Sequence, residues 1–363
     1  MGIKEQLGKV SSGHALFNYF DYPRSYQILG SRGCPFNCTF CYHILGESSY
    51  RQRSIKNLIE EIKYAINHYK INHFSLNDDM FAFDKKRLSE FCGEIKKIIE
   101  QLSWELKWDY QMAVTHVDEK TLKLLKDSGC HYIGFGFESY SPQVLRSMRK
   151  PITPEMIDNA IKLSFKLKMP VVANFIFGDV AETKETANET LNYWKSNCQG
   201  QVKLFFIHPY PGSKIFHHCI KKGIIKDKLN YIKNKIHHTN ILNMTDSMSD
   251  EEFKWLIDQV WKNTIKYSCY VSPIEIHQNK NFKERIDARV KCPFCECIFT
   301  YKNLYYQNRY LYNSRVICRN KDCNMLFFIA SKPYILTIKY YRQFDFLRKN
   351  FLLLKDKILK MRV

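Results

Sequence analysis

The sequence predicts an α/β fold built on a parallel sheet. Two observations carry this prediction: short β-type runs alternate with longer helical patterns from about residue 25 to 210, and a cysteine-rich loop follows the first of these runs. The chain has 363 residues, of which 45% are hydrophobic, so it is long enough for one large core and a smaller appended module.

Six runs are expected to be strands, at 26–30, 73–77, 106–113, 132–137, 171–177 and 203–208. The helices expected between them are 54–70, 84–101, 118–128, 153–168 and 183–196, and several open on a Ser, Thr or Asp suited to an N-cap. The first helix carries an apolar stripe of core-facing type, formed by Ile55, Leu58, Ile59, Ile62, Ala65 and Ile66. Right-handed crossovers would curl these units into a partial (β/α)6 barrel.

Three cysteines, Cys34, Cys38 and Cys41, lie in the run Cys-Pro-Phe-Asn-Cys-Thr-Phe-Cys after the first predicted strand. Closed structural metal sites normally take four protein ligands, so three thiolates in one loop leave a coordination position open. The loop stands at the carboxyl end of a strand, where α/β enzymes keep their active sites. The pattern therefore indicates chemistry rather than structural metal binding.

With the aromatic Phe40 before its last cysteine, the loop resembles the signature of the radical S-adenosylmethionine (radical SAM) superfamily. Downstream stretches follow in the order expected of the branch whose members often carry a cobalamin domain, at 50–54, 77–81, 134–139, 175–178 and 209–213. The resemblance covers roughly residues 22 to 220. Some 33 residues precede Cys34 and no Asp-x-His-x-x-Gly occurs, so neither a cobalamin domain nor cobalamin-dependent methylation is expected.

The resemblance implies that Cys34, Cys38 and Cys41 hold three irons of a 4Fe-4S cluster. S-adenosylmethionine (SAM) would chelate the fourth iron, and reductive cleavage would give a 5'-deoxyadenosyl radical that abstracts hydrogen from an unidentified substrate. A reductant such as flavodoxin or ferredoxin would supply the electron. The alternative is a non-catalytic zinc-ribbon adaptor, or a nucleic-acid-binding protein, on a decayed barrel of this kind.

The resemblance also implies a set of SAM contacts. Asp78 and Asp79 would lie near the amino end of SAM, replacing the more usual Gly-Gly-Glu. Glu138 and Ser139 would contact its ribose or amino acid part, and Phe40 its adenine, with Ile176 and Gly178 on the other face. Each of these residues has a capping or turn role as its alternative. His208, at the end of the sixth predicted strand, either faces the substrate or is a structural histidine.

A second cluster, Cys292, Cys295, Cys318 and Cys323, has the spacing of a zinc ribbon. Cys297 is a spare fifth sulfur, so an auxiliary iron-sulfur cluster is the alternative to zinc. The metal either stabilises the fold of a small module whose own hydrophobic core is too small, or it supports a surface that presents cations to RNA or another polymer. The cations in question are Lys302, Arg309 and Arg315.

These patterns divide the chain into a lead segment (1–21), the core barrel (22–220), a helical extension (221–285), the four-cysteine metal-ribbon module (286–332) and a basic amphipathic tail (333–363). Within the extension, 249–267 is strongly amphipathic. Within the tail, 344–361 is expected to form a helix that docks on the protein or contacts an anionic membrane surface or acidic partner.

The formal charge of +20 is compatible with RNA or another anionic partner, but lysine is scattered over most of the length. No apolar run approaches the ~18 residues that cross a bilayer, so no transmembrane segment is expected. The cysteines cluster at metal-type spacings without an export signal, which favours a reducing compartment. A cytoplasmic location is therefore expected.

Overall fold

The centre of the fold is a six-stranded parallel sheet. The structure is a computed structural model that describes residues 16–42, 50–82, 84–236, 240–279, 284–305 and 311–340. The strands up to residue 206 are β1 (Ser25–Ile28), β2 (Ser31–Arg32), β3 (Arg51–Gln52), β4 (His73–Leu76), β5 (Lys107–Gln111), β6 (Cys130–Glu138), β7 (Val171–Phe177) and β8 (Val202–Phe206). The sheet has the order β1-β4-β5-β6-β7-β8, which leaves β1 and β8 at its edges. β2 and β3 form a separate two-stranded ribbon.

Helices cross between successive strands, because parallel neighbours need long connections. They are Ile55–Tyr69, Lys85–Glu100, Glu119–Asp127, Pro142–Ser147, Pro154–Lys166 and Lys184–Asn197, with short 3-10 helices at Phe17–Tyr19 and Val114–His116. Side chains at Ser54, Asp84 and Asp118 each accept a hydrogen bond from the backbone N–H three residues on. These caps satisfy N–H groups that the first helical turn leaves unpaired, and so they fix where the helices begin.

Aromatic side chains fill the core between the sheet and its helices. Trp108 on β5 stacks on Phe74 of β4 with ring centroids 6.0 Å apart, and Phe91 of the helix Lys85–Glu100 meets Trp108 edge-on at 5.2 Å. All three rings are fully buried. Burial of each contributes on the order of 1.5–3 kcal/mol, so this core fixes the position of the helix Lys85–Glu100 against β4 and β5.

The segment after β8 contains the helices Lys214–Lys221, Lys228–Asn230 and Asp250–Tyr267 and a π-helical turn, Tyr231–Lys235. The helix Asp250–Tyr267 begins at a capping box between Ser249 and Glu252. It packs on β8 and on the helix Lys184–Asn197, with Phe253 6.0 Å from Phe206 between ring centroids. This helix therefore covers part of the open edge of the sheet.

The C-terminal module is built from short strands: β9 (Tyr270–Val271), β10 (Glu275–Gln278), β11 (Arg285–Lys291), β12 (Ile298–Tyr305), β13 (Asn313–Ile317) and β14 (Leu326–Ala330), followed by the helix Lys332–Tyr340. β10, β11 and β12 form one antiparallel sheet. β14 pairs antiparallel with β13 and parallel with β9. Tyr301, Val316 and Phe327 are buried in the small core between these sheets.

Hydrogen bonds fasten the module to the barrel. The Gln201 side chain donates to the carbonyl of Leu326 at 3.0 Å and accepts from its N–H at 2.8 Å. The Arg315 guanidinium donates to the Gln201 carbonyl at 3.0 Å, and Asn18 donates to the Arg315 carbonyl at 2.8 Å. Because these contacts are buried, the barrel and the module share a common packed boundary.

The six predicted strands and five predicted helices are confirmed, with ends displaced by a few residues. The short helix Pro142–Ser147 was not predicted. The extension 221–285 is not helical throughout, because β9 and β10 lie within it and pair with strands of the module. The module therefore begins upstream of residue 286.

The helix predicted at 344–361 lies outside the described residues. Among the helices that the structure does describe, none has the length and apolar character of a membrane span.

Candidate functional site

A cavity of about 700 Å³ opens at the carboxyl ends of β1, β4, β5 and β6. Its walls come from the cysteine loop, from residues 78–80 after β4, from 111–115 after β5, and from Gly136, Glu138 and 150–152. This volume lies within the range of small-molecule and cofactor sites. The cavity stands at the edge of the sheet where the sequence predicted the active site.

All three cysteines of the N-terminal loop line this cavity. The loop is held by its backbone, because the Thr39 N–H donates to the Met148 carbonyl and the Thr39 carbonyl accepts from the Ile215 N–H, both at 3.0 Å. Cys38 is buried and Cys41 is exposed. The Cys41 N–H donates to the Cys38 carbonyl at 3.3 Å, which places these two cysteines on one tight turn.

The donor set of the cavity fits an iron-sulfur cluster with one open position. Its lining contains three thiols and, among the residues that the structure describes, neither a fourth cysteine nor a histidine. The three sulfur atoms do not all lie within 4.8 Å of one another in this part of the chain. Three protein ligands leave the fourth iron open to another ligand.

A cation that the sequence analysis missed, Lys150, lines the same cavity. Its Nζ lies 2.9 Å from Glu138 Oε1, and the two side chains are only 19% and 10% exposed. Burial alone would lower the pKa of Lys150, but the Glu138 carboxylate and the sulfurs of Cys38 and Cys41 raise it. A positive charge is therefore held beside the cysteine loop.

The ion pair lies over a glycine of β6. A Cβ at Gly136 would overlap Glu138 Oε1 and lie 2.8 Å from Lys150 Nζ, so a larger residue there would require the ends of these two flexible side chains to shift. A Cβ at Gly134 would similarly overlap the end of the Gln111 side chain. Gly134 and Gly136 are two residues apart and therefore lie on the same face of β6. Two glycines in this pattern could have indicated that other side chains, here those of Gln111 and Lys150, lie across that face.

The two aspartates after β4 have different surroundings. Asp78 is buried and accepts hydrogen bonds from the Gly30 N–H at 3.1 Å and from the N–H and hydroxyl of Ser31. Burial raises the pKa of Asp78 above its ordinary value, although these hydrogen bonds oppose the change. Asp79 is exposed, lines the cavity and has no hydrogen bond or ion pair within the described ranges. Asp78 thus holds the turn between β1 and β2, and Asp79 offers a carboxylate to a ligand.

Phe40 lines the cavity, but Ser139, Ile176, Gly178 and His208 do not. Ser139 is 2% exposed, and its hydroxyl lies 3.2 Å from Thr190 Oγ1. Ile176 packs against a separate apolar cluster, and Gly178 lies in the turn after β7. His208 lines a different cavity, beside the helix Asp250–Tyr267.

Comparison with known proteins bears on what this site is. Residues 28–193 match the family described as the Radical SAM superfamily. The chain contains a radical SAM domain. This match includes all three cysteines of the loop, the Glu138 and Lys150 pair and both aspartates, and it confirms the predicted resemblance.

The radical SAM domain also has curated relatives. An uncharacterized methyltransferase of Pyrococcus horikoshii is 32% identical over 54% of this chain and 42% of its own length. Cytidylyl-2-hydroxyethylphosphonate methyltransferase of Streptomyces wedmorensis is 28% identical over 55% of this chain and 38% of its own. Anaerobic magnesium-protoporphyrin IX monomethyl ester cyclase of Cereibacter sphaeroides is 33% identical over 44% and 26%. The chain thus spans less than half the length of each relative.

The turn after β7 of the radical SAM domain is built on a buried carboxyl group. Gly178 has a φ of 95°, and its N–H donates to Glu182 Oε2 at 3.2 Å. Glu182 is 1% exposed and accepts from the Thr186 hydroxyl at 3.0 Å. Burial raises the pKa of Glu182 to about 8, so the group is mostly protonated at neutral pH.

Replacing Glu182 with glutamine is expected to stabilise the protein at alkaline pH. The raised pKa means that the stability contributed by the neutral carboxyl is fully present below about pH 4.5 and is lost as pH rises through about 8. Glutamine cannot ionise. We expect the thermal midpoint of Glu182→Gln to exceed that of the native chain by roughly 3 to 10 °C at pH 9, and by little at pH 5. An equal difference at both pH values would contradict the buried neutral carboxyl.

The four-cysteine site lies outside the radical SAM domain. The sulfur atoms of Cys292, Cys295, Cys318 and Cys323 lie within 4.8 Å of one another, the one such set of three or more metal-binding side chains in the described ranges. Cys292 and Cys323 are 3.9 Å apart between sulfurs, and Cys295 and Cys318 are 3.6 Å apart. Four sulfurs placed tetrahedrally ~2.3 Å from one ion would be ~3.8 Å apart, so the set fits a single metal ion. Cys297 is exposed and outside the set.

The alternative in which the module presents Arg315 to RNA is wrong. Arg315 is 4% exposed, because β13 turns this side chain toward the barrel, where it donates to the Gln201 carbonyl. Lys302 is exposed, with its Nζ 3.6 Å from Asp21 Oδ2. Arg309 lies outside the described residues. The module therefore does not present these three cations together on one surface.

Proposed function

We propose that the chain is a radical SAM enzyme that holds a 4Fe-4S cluster on Cys34, Cys38 and Cys41 and binds SAM in the adjoining cavity. The supporting observation is the donor set: three thiols line one cavity of about 700 Å³, without a fourth cysteine or histidine from the described ranges. With a cluster held on these three cysteines and SAM bound beside it, the site would have the chemistry needed to break a carbon-sulfur bond reductively and to give a carbon radical able to abstract hydrogen from a substrate.

The cavity residues would bind and orient these groups. Lys150 places a positive charge near the sulfurs of Cys38 and Cys41, which favours the more negative, reduced form of a cluster held there. Glu138 fixes Lys150 through the 2.9 Å ion pair. The Asp79 carboxylate would bind the ammonium group of SAM, and the Phe40 ring would contact its adenine.

Other predicted SAM residues are assigned positioning roles. Asp78 would hold the turn that leads into the cysteine loop, because its oxygens already accept from Gly30 and Ser31. Ser139 would fix the segment after β6 through Thr190. Ile176 and Gly178 would shape the end of β7, since neither lines the cavity.

The proposal ends at hydrogen abstraction from an unidentified substrate. Among the relatives, two are named methyltransferases and one a cyclase, so likeness favours no single outcome after that step. The electron would come from a low-potential protein such as flavodoxin or ferredoxin. None of the thirteen cysteines, all of which lie in the described ranges, forms a disulfide, which suits a reducing compartment such as the cytoplasm.

The test is SAM cleavage by the whole chain. After purification and cluster reconstitution without oxygen, incubation with SAM and dithionite is expected to give 5'-deoxyadenosine and methionine in equal amounts, measured by chromatography. Omission of dithionite should abolish both products, and reduced flavodoxin should replace it. A reconstituted protein with no cluster spectrum, or with a cluster but no SAM cleavage, would overturn the proposal.

For the second site we propose zinc. The sulfur separations of 3.6 and 3.9 Å support one ion shared by four thiolates, whereas an auxiliary four-iron cluster would place each sulfur on a separate iron. Cys297, the spare fifth sulfur, would remain a free thiol. The metal would be structural, because four protein ligands leave no open coordination position.

A further inference from the structure

A second cavity, of about 450 Å³, lies between the edge of the parallel sheet and the C-terminal module. Its walls come from β8, from the helix Asp250–Tyr267, and from single residues of β9, β13 and β14. It shares no lining residue with the cysteine cavity. It is therefore a separate site, which the barrel and the module form together.

Large apolar side chains dominate the walls of this second cavity. Trp194, Trp261, Phe205 and Phe328 all contribute to it. Trp261 is 48% exposed and Phe205 is 45% exposed, although large aromatic side chains are usually buried. Aromatic rings left partly uncovered around a concave space are typical of a ligand site.

Within the described ranges, two cations line the same space, and no aspartate or glutamate does. Arg315 is 4% exposed, and its Nε is buried without a hydrogen-bond partner in the part of the chain that the structure describes, while another guanidinium nitrogen donates to the Gln201 carbonyl. Lys203 forms no salt bridge within the described ranges. Burial, together with the neighbouring Arg315, lowers the pKa of Lys203 to about 8.

Placing Lys203 and the buried Arg315 Nε beside one another destabilises the folded protein unless an anion binds between them. A buried donor without a partner costs on the order of 1–3 kcal/mol, and two cations brought together in an apolar setting repel each other. A bound oxyanion would accept a hydrogen bond from the unpartnered Arg315 Nε and would neutralise part of both charges. The apolar walls would cover the rest of the same molecule.

We propose that this cavity binds an amphipathic anion, an apolar chain or ring system that ends in one carboxylate or phosphate group. The oxyanion would lie between Lys203 and Arg315, and the apolar body would pack against Trp194, Trp261 and Phe328. The two tryptophans make the site observable by fluorescence. This binding goes beyond the proposed radical chemistry and does not depend on it.

The experiment is a titration of the full, metal-loaded chain with decanoate, decyl phosphate and decanol, followed by tryptophan fluorescence. We expect at least one of the two anions to change the emission saturably, with an affinity at least about tenfold higher than that of decanol. The preferred anion identifies the head group. Equal affinity for decanol and both anions, or saturation by none of the three, would overturn the proposal.

Variants separate charge recognition from a general effect on the fold. Lys203→Met is expected to weaken binding of the preferred anion at least fivefold and to change decanol binding less than twofold. Lys262→Met is the matched control, because Lys262 is exposed on the helix Asp250–Tyr267 and does not line the cavity. If Lys203→Met keeps full affinity for the anion, or loses no more than Lys262→Met does, the cations do not recognise it and the proposal fails. Arg315→Lys provides a second test should Lys203→Met unfold.

Discussion

Replacing Cys318 with serine is expected to unfold the C-terminal module. Cys318 is fully buried, and its sulfur lies 3.6 Å from that of Cys295. Loss of one of four thiolates removes most of a metal-binding free energy of about 10–16 kcal/mol, which exceeds the stability of many whole domains. We expect limited proteolysis to cut between residues 286 and 332, and metal analysis to find zinc reduced from one per chain to near zero.

Cys297→Ser is the matched control for this variant, because Cys297 is exposed and lies outside the set of four sulfurs. It should retain one zinc per chain and the protease resistance of the native protein. A native preparation with no zinc and about eight irons per chain would instead indicate an auxiliary iron-sulfur cluster, and the zinc proposal would be abandoned.

Replacing Cys38 with alanine is expected to reduce SAM cleavage to background. Cys38 is the most buried cysteine of the loop, at 5% exposure, and it lies near Lys150 in the cavity wall. Without its thiolate, one iron of the proposed cluster has no protein ligand. Production of 5'-deoxyadenosine under dithionite and the iron content of the anaerobic protein measure the effect.

The zinc content and the thermal midpoint of Cys38→Ala serve as controls, since the four-cysteine site lies in the separate C-terminal module. Cys297→Ala supplies a cysteine variant that should cleave SAM at the native rate. If Cys38→Ala retains a full cluster and native product formation, Cys38 is not a ligand, and the proposed role of the loop fails with it.

The local parts of the fold could be predicted from the sequence because neighbouring residues determine them. Helix starts at Ser54, Asp84 and Asp118 follow from side chains that accept hydrogen bonds within one turn. The cysteine loop could be placed because a strand and its following loop are adjacent in the chain. The order of the six strands followed from sequential crossovers.

Features that depend on distant contacts could not be predicted in this way. Lys150 follows the helix Pro142–Ser147 and reaches the cavity only through the tertiary fold, where it pairs with Glu138 at the end of β6. His208 was expected either to face the substrate or to be a structural histidine, but it lines the second cavity, which forms only once the module packs there. Similarly, β9 has two residues, and its pairing with the distant β14 gives it its strand conformation.

The paired hydrogen bonds between Gln201 and Leu326 have a consequence for how related genes can recombine. One amide side chain satisfies both the N–H and the carbonyl of a residue that begins β14. If a module of this type were transplanted onto a barrel lacking that amide, both backbone groups would lose their partners, at a cost of about 1–3 kcal/mol each. We therefore expect the barrel and the C-terminal module to be inherited together rather than exchanged separately between related genes.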